Sequence, residues 1–284
     1  MKPLFSFCLL LIGHLVAGQQ TQTTRLIVRG DDMGYSHSGN EALIECYKGG
    51  IQKTIEVIVP SPWFPEAVKM LQEHPGVDVG VHLTLTSEWD NVKWRPLTKA
   101  ASLTDENGYF RPMIWPNPNY PGKALLENHW DLRDIEAEFR AQIEMAKRLI
   151  PQVSHISSHM WCTEMTPEVK AMAKRLAKEY QIDIDLDELG IGTFRYDGPS
   201  GTPKEKITSF LSALSKLEPG KTYMFLDHPG HDDPELRAIH HIGYENVAVD
   251  RAGVTQLFLS PEVRKFLSDK HIELISYADL RSRP

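Results

Sequence analysis

The 284-residue chain has the composition of an ordinary globular protein, with 41% hydrophobic and 24% charged residues. Its formal net charge is −7, so it lacks the basic excess that marks nucleic-acid-binding proteins, and no nucleic-acid partner is expected. The length suits one large domain such as an α/β barrel, with two small domains as the weaker alternative.

Residues 1–18 have the pattern of a secretory signal peptide. Lys2 supplies a positive start, residues 4–16 form a mostly apolar run, and small residues precede a plausible cleavage point before Gln19. The run is too short and too interrupted for a stable membrane span, so a buried segment or a membrane anchor is the lesser alternative. We therefore expect an exported protein whose mature part, residues 19–284, is one domain without a membrane span.

The rest of the chain alternates short apolar strands with helices. This alternation predicts an α/β fold in which helices cover a parallel sheet. Strands are predicted at residues 25–29, 54–59, 78–85, 153–157, 182–184, 192–195, 221–226 and 272–276. Helices are predicted at residues 38–47, 63–73, 132–150, 167–180, 204–216 and 261–267.

One long segment, residues 87–123, is irregular. A loop of this length in a compact domain is usually functional or disordered, and its many aromatic residues argue against disorder. The rings either stack on sugar rings above a cleft or pack the loop onto the domain, and the sequence favours neither. These residues are Trp89, Trp94, Tyr109, Trp115 and Tyr120.

Two cysteines, Cys46 and Cys162, follow the signal peptide. An oxidising compartment would permit a disulfide between them. Their separation in sequence says little about their distance in space, however, and their spacing fits no zinc motif. Two buried thiols are therefore the default expectation.

Residues that can bind a metal ion or transfer a proton lie near the ends of four of the predicted strands: Asp31 and Asp32, His82, His155 with His159, and His228. Functional sites of parallel α/β folds lie at the carboxyl ends of the strands, so these clusters belong to one rim. One carboxylate and two imidazoles can hold a divalent ion and leave room for water. A second carboxylate can take a proton from that water, and a separate histidine can protonate a leaving amine. The set predicts metal-assisted hydrolysis of an amide or ester.

Five motifs, in order, resemble those of the YdjC-like carbohydrate deacetylases, the group that contains the chitooligosaccharide deacetylase ChbG. Residues 29–36, R-G-D-D-M-G-Y-S, are similar to the signature N-A-D-D-F-G-L-S. Residues 80–86 are similar to G-x-H-x-x-L-T, and residues 154–159, S-H-I-S-S-H, to T-H-L-D-S-H. Residues 226–230, L-D-H-P-G, are similar to M-C-H-P-G, and residues 276–280 to the closing S-Y-x-D-L.

This resemblance implies a distorted (β/α) TIM-like barrel and a deacetylase of N-acetylated sugars that uses one divalent ion, zinc or magnesium. The matching positions make Asp32, His82 and His159 the expected metal ligands. Asp31 is then the expected catalytic base, and His228 the histidine near the leaving group. The resemblance further assigns substrate binding to two residues, Arg195 and His155.

Several positions depart from the family motifs. Ser157 stands where T-H-L-D-S-H has its aspartate, which removes a carboxylate beside the metal but none of the expected ligands. Met160 and Trp161 replace histidines that usually follow the last ligand, and Gly30 replaces an alanine. Specificity for chitooligosaccharides is therefore not expected to carry over.

Three functional hypotheses remain open. The first is a secreted metal-dependent carbohydrate N- or O-deacetylase acting on an acetylated sugar or oligosaccharide. The second is a non-catalytic carbohydrate-binding protein that has kept the barrel, which Ser157 and the aromatic loop would suit. The third is a metal hydrolase of another amide or ester. The oligomeric state is left open, a homo-oligomer included.

Overall fold

The computed structural model describes residues 23–281, so the predicted signal peptide at residues 1–18 lies outside the described residues. Its centre is a curved sheet in which every strand pair is parallel. The strand order is β4-β3-β2-β1-β6-β5, and β7 pairs with the first half of β1. The strands are β1 Arg25–Met33, β2 Thr54–Val57, β3 Asp78–Leu83, β4 Val153–Ser158, β5 Gly192–Thr193, β6 Thr222–Asp227 and β7 Glu273–Ile275.

Helices cover this sheet and are joined to its strands by the alternating connections that the sequence predicts. They are α1 His37–Gly49, α2 Phe64–Glu73, α3 Leu132–Leu149, α4 Pro167–Glu179, α5 Pro203–Ser215, α6 Pro234–Arg237, α7 Val247–Leu259, α8 Pro261–Asp269 and α9 Ala278–Arg281. The predicted single-domain α/β fold is confirmed, and its curved parallel sheet forms a half-barrel consistent with the distorted TIM-like barrel that the resemblance implies. No helix among the described residues is long and apolar enough to cross a membrane.

The first strand runs further than predicted because it contains a β-bulge. Gly30 pairs with Ile55 and Met33 with Val57, so β1 has one more residue than β2 over this stretch. The backbone of Asp32 takes up the extra residue in the left-handed region, at φ 73°. A bulge breaks the alternation of side chains along a strand. Neighbouring residues Asp31 and Asp32 can therefore both reach the same site.

The structure differs from the predicted elements at several points, which include the unpredicted short helices α6 and α9. Residues 182–184 form no strand, and only a single bridge links Asp183 to His155. Helix α7 was not predicted. It has buried residues on several faces because it packs against α1, α5 and α6, so its sequence lacks the apolar stripe that identifies a surface helix.

The loop at residues 87–123 packs mainly against the domain. Trp89 and Trp94 are each 2% exposed, and Tyr120 is 7% exposed. Trp115, in contrast, is 42% exposed. Packing is therefore the correct alternative for the three buried rings. Cys46 and Cys162 are free and buried, as expected.

Two tryptophans of this loop provide a test of its packing. We expect Trp94→Ala to lower the free energy of unfolding by about 3–5 kcal/mol, because it empties a fully packed site. The matched variant Trp115→Ala should change it by less than about 1 kcal/mol, since much of that ring already contacts solvent. Urea unfolding curves measure both values. Equal effects of the two variants would contradict the packing described here.

Candidate active site

Asp31 is held by a neighbour on its own strand. Arg29 donates two hydrogen bonds to it, from Nε to Oδ1 at 2.7 Å and from Nη2 to Oδ2 at 2.8 Å. A third bond from Arg29 reaches the hydroxyl of Tyr277 at 3.0 Å. Bidentate pairing of this kind fixes the plane and position of a carboxylate. Each oxygen of Asp31 keeps a second lone pair for another partner.

The three expected metal ligands meet at the carboxyl end of the sheet. Asp32, His82 and His159 are all buried, and one ligand atom from each lies within 4.8 Å of the others. Asp32 Oδ1 is 3.5 Å from His82 Nε2 and 3.1 Å from His159 Nδ1. Within residues 23–281, this oxygen is buried without a hydrogen bond of acceptable geometry.

These distances fit a metal ion. Ligand bonds of about 2.0–2.1 Å around a tetrahedral zinc ion would place neighbouring ligand atoms about 3.3 Å apart. The two separations from Asp32 Oδ1 lie on either side of that value. Asp32 Oδ1 is also a buried oxygen that faces two imidazole nitrogens. A cation between these three atoms would compensate its charge.

His159 lies between two carboxylates. Its Nε2 is 3.1 Å from Glu88 Oε2, opposite the side that faces Asp32. Burial disfavours a charged ring, but these two carboxylates outweigh it and raise the pKa of His159 to about 10. The contact with His159 lowers the pKa of Glu88 despite its burial. The pocket thus favours positive charge. A proton and a divalent ion would compete for the same nitrogen of His159, Nδ1.

Arg251 on α7 supports Asp32 from behind. Its Nη2 donates to Asp32 Oδ2 at 2.9 Å, and its guanidinium lies over the rings of Tyr35 at 4.6 Å and Trp89 at 5.2 Å. Burial would raise the pKa of Asp32, but His228, His159 and Arg251 together lower it well below the usual value. Arg251 could not be identified from the sequence, because its helix was not predicted.

His228 is the most accessible of the site histidines, with a third of its side chain exposed. Its Nε2 is 3.8 Å from Asp32 Oδ2, and its Nδ1 is 3.5 Å from Asp227 Oδ1. Tyr196 donates to the other oxygen of Asp227 at 2.6 Å. Although burial opposes the charged ring, Asp32 and Asp227 raise the pKa of His228 above its ordinary value. Asp227 occupies the cysteine position of the M-C-H-P-G motif.

The two residues expected to bind substrate lie in different surroundings. His155 has no exposed surface, and its ring nitrogens face Glu56 Oε1 at 2.7 Å and Ser154 Oγ at 2.8 Å. Its ring also stacks on Tyr277. His155 therefore belongs to the interior beneath the site and offers a substrate no surface. Arg195 is exposed and lines a large cavity, so its expected role stays a prediction.

That cavity has a volume of about 1100 Å³ and is lined by residues of β4, β5, β6 and α4. Ser157 and Asp227 line it too, so it reaches the side of the site. Trp161 stands on its wall and is 64% exposed. Both Trp161 and Met160 have positive φ angles, of 54° and 47°. Two successive strained residues directly after His159 are typical of a functional segment.

Comparison with known proteins gives the family. Residues 25–269 match the model of the YdjC-like proteins. The chain belongs to the YdjC-like family. Carbohydrate deacetylase 2 of Listeria innocua is 27% identical over 90% of this chain and 98% of its own. Carbohydrate deacetylase of Thermus thermophilus is 30% identical over 87% of this chain and 90% of its own.

A solved structure supports the same fold. It is a candidate cellobiose-phosphate cleavage protein from Enterococcus faecalis V583, with a TM-score of 0.70 and 22% identity. The match covers 91% of this chain and 99% of that one. It places this YdjC-like protein in the distorted TIM-like barrel class that the sequence predicted.

Metal binding can be tested without a substrate. At zinc concentrations about 100 times the dissociation constant, binding should add about 2.7 kcal/mol and raise Tm by roughly 5–10 °C. His82→Ala and His159→Ala should lose this shift because each removes a ligand. His74→Ala, at the end of α2, is the control and should keep it. Differential scanning calorimetry with and without the ion distinguishes these outcomes, and a shift retained by both ligand variants would contradict the site.

Proposed function

We propose that this protein is a divalent-metal-dependent deacetylase of acetylated saccharides. The observation that carries the proposal is the buried group of Asp32, His82 and His159 with Asp31 beside it, in a chain whose relatives are named carbohydrate deacetylases. A divalent ion in this group would polarise the acetyl carbonyl and lower the pKa of water. The two imidazoles favour zinc or another transition ion over magnesium.

Asp31 is the proposed general base. Its Oδ2 is 3.8 Å from His82 Nε2, which places it beside the ligand group without making it a member. Arg29 occupies one lone pair on each oxygen and keeps the carboxylate oriented, while the remaining lone pairs can accept a proton from water. As that proton leaves, the water oxygen bonds to the acetyl carbon.

His228 is the proposed general acid. The two carboxylates that face it favour the protonated ring, which is the form that donates a proton. When the bond between the acetyl carbon and the sugar nitrogen breaks, His228 gives its proton to that nitrogen and the products are acetate and an amine. Asp227, itself held by Tyr196, keeps the ring in place.

The cavity bounded by Trp161 is the proposed binding region for the rest of the saccharide. Its volume accommodates several sugar units, and Ser157 and Asp227 connect it to the ligand group and the acid. The exposed indole offers an apolar face to the C–H groups of a sugar ring. Arg195 on the same wall offers donors to hydroxyl or anionic groups.

The decisive experiment measures acetate release from a panel of N-acetylated and O-acetylated oligosaccharides. Metal-stripped protein is refilled with zinc, magnesium, manganese, cobalt or nickel before each assay. We expect metal-dependent release, and we expect Asp31→Asn to reduce kcat on the order of 10²–10⁴-fold because general-base catalysis is lost. Asp269→Asn, an exposed carboxylate on α8, is the control and should retain full activity.

Two outcomes would overturn this proposal. Asp31→Asn that keeps full activity would remove the proposed base. Metal binding without acetate release from any substrate would instead favour a carbohydrate-binding protein or a hydrolase of another bond. Calorimetry on Asp31→Asn separates chemistry from binding, since that variant should still take up the ion.

The role of Trp161 has its own test. Loss of one stacked sugar ring is worth about 1–2 kcal/mol, so Trp161→Ala should raise KM for oligosaccharides roughly 5–30-fold. Small chromogenic acetates, which do not reach the cavity, should be turned over as before. Trp161→Phe should restore most of the affinity, and Trp115→Ala is the control for an exposed tryptophan away from this wall. A common loss for small and large substrates would show that the residue only supports His159.

A further inference from the structure

Glu56 is a buried carboxylate that no motif identified. It lies in β2 with no exposed surface, where an unpaired charge would be very costly. Its Oε1 is 2.7 Å from His155 Nε2, and its Oε2 accepts a hydrogen bond from the hydroxyl of Ser157. Burial would raise the pKa of Glu56, but His155 and Arg29 outweigh it, so the pKa is lowered and the group is ionised.

The middle strand, β3, leaves space for the Glu56 side chain to pass over it. Glu56 of β2 pairs with Gly80 of β3, and Gly80 pairs with His155 of β4. A Cβ atom at Gly80 would overlap both the Glu56 carboxylate and the His155 ring. Only glycine in the middle strand therefore leaves room for the glutamate to reach over β3 to β4.

The hydrogen bonds from Glu56 through Ser157 to His82 determine which His82 nitrogen faces the serine with a proton. An ionised Glu56 can only accept hydrogen bonds, so the Ser157 hydroxyl must donate its one proton to it. The Ser157 oxygen is also 2.7 Å from His82 Nδ1, and it can only accept there. His82 therefore carries a proton on Nδ1, and Nε2 is the nitrogen that faces Asp32 Oδ1 and could bind an ion.

The other expected histidine ligand has an equivalent arrangement. Glu88 accepts from His159 Nε2, so Nδ1 is the nitrogen of that ring that faces Asp32 Oδ1 and would exchange its proton for the ion. Histidine ligands of metals usually donate their second N–H to an oxygen atom that sets the tautomer and orientation of the ring. His159 contacts its carboxylate, Glu88, directly. His82 is linked to Glu56 through the hydroxyl of Ser157.

We propose that Glu56, acting through Ser157, is the positioning residue that holds His82 in the metal-binding tautomer. Ser157 stands where the family motif has an aspartate, and in this chain the carboxylate linked to His82 comes from β2. The inference rests on the metal site of the proposed function, but not on the bond that is hydrolysed. It can therefore be tested whether or not acetate is released.

The first test measures zinc affinity by calorimetry with a competing chelator. Ser157→Ala removes the link and leaves Glu56 with its other partners, and Glu56→Gln removes the charge that fixes the proton. We expect both variants to bind zinc about 10–100-fold more weakly, as is typical when the outer partner of a ligand is lost. Glu138→Gln is the control, because Glu138 is also fully buried but bonds to the backbone of Leu97 and Thr98. It should bind zinc normally even if it unfolds at a lower temperature.

The second test moves the carboxylate back to β4. Ser157→Asp alone should weaken zinc binding and lower Tm, because it places a second carboxylate against Glu56. In Glu56→Gln combined with Ser157→Asp, one carboxylate again faces His82, and zinc affinity should recover to within a few-fold of the wild type. A loss in the double variant equal to the sum of the two single losses would contradict the proposed relay.

The tautomer can be observed directly in metal-free protein. Long-range ¹⁵N–¹H spectra of histidine-labelled protein should show His82 with its proton on Nδ1, and Ser157→Ala should convert it to a mixture. Unchanged zinc affinity and an unchanged tautomer in a folded Ser157→Ala would overturn the inference. Failure to release acetate, with the tautomer and affinity as expected, would instead overturn only the proposed function.

Discussion

The bulge in β1 is the constraint on which the site depends. A regular strand would send Asp31 and Asp32 to opposite faces of the sheet, and the two carboxylates could not work together. The extra residue costs a left-handed backbone at Asp32, a conformation that aspartate tolerates better than most residues. In return, Asp32 faces the two histidines while Asp31 remains beside them on Arg29.

Charge balance then determines what surrounds the two aspartates. Each has its own buried arginine, Arg29 from the same strand and Arg251 from a distant helix. Without such partners, buried carboxylates would take up protons and lose their ability to bind a metal or accept a proton. The aromatic loop contributes to this balance, because Trp89 packs against the Arg251 guanidinium. The loop therefore affects the site through Arg251, the positively charged partner of Asp32. Trp161, outside this loop, is the aromatic residue that faces the cavity.

The sequence predicts the parts of this site that follow directly from strand order. Short apolar strands that end in aspartate or histidine identified the rim, because parallel strands bring their carboxyl ends together. Pairing between strands was not predictable, so neither the bulge nor the approach of Glu56 to Ser157 could be read from the sequence. Arg251 was missed for another reason: its helix is packed on several sides and has no apolar periodicity. His155 follows the strand pattern of a site residue, but pairing with Glu56 places it in the interior.

The position of β3 allows a carboxylate to reach His82 from the strand on either side. In the order β4-β3-β2, the strand of His82 has a neighbour on each side, and either neighbour can place a carboxylate near that ring. An aspartate on β4, opposite His82 in register, needs only a short side chain. From β2 the distance is greater, which requires the longer glutamate, a glycine at position 80 and a serine to complete the path. These three residues act together. A change in any of them alters the hydrogen bonding of His82, although none of them is itself an expected metal ligand.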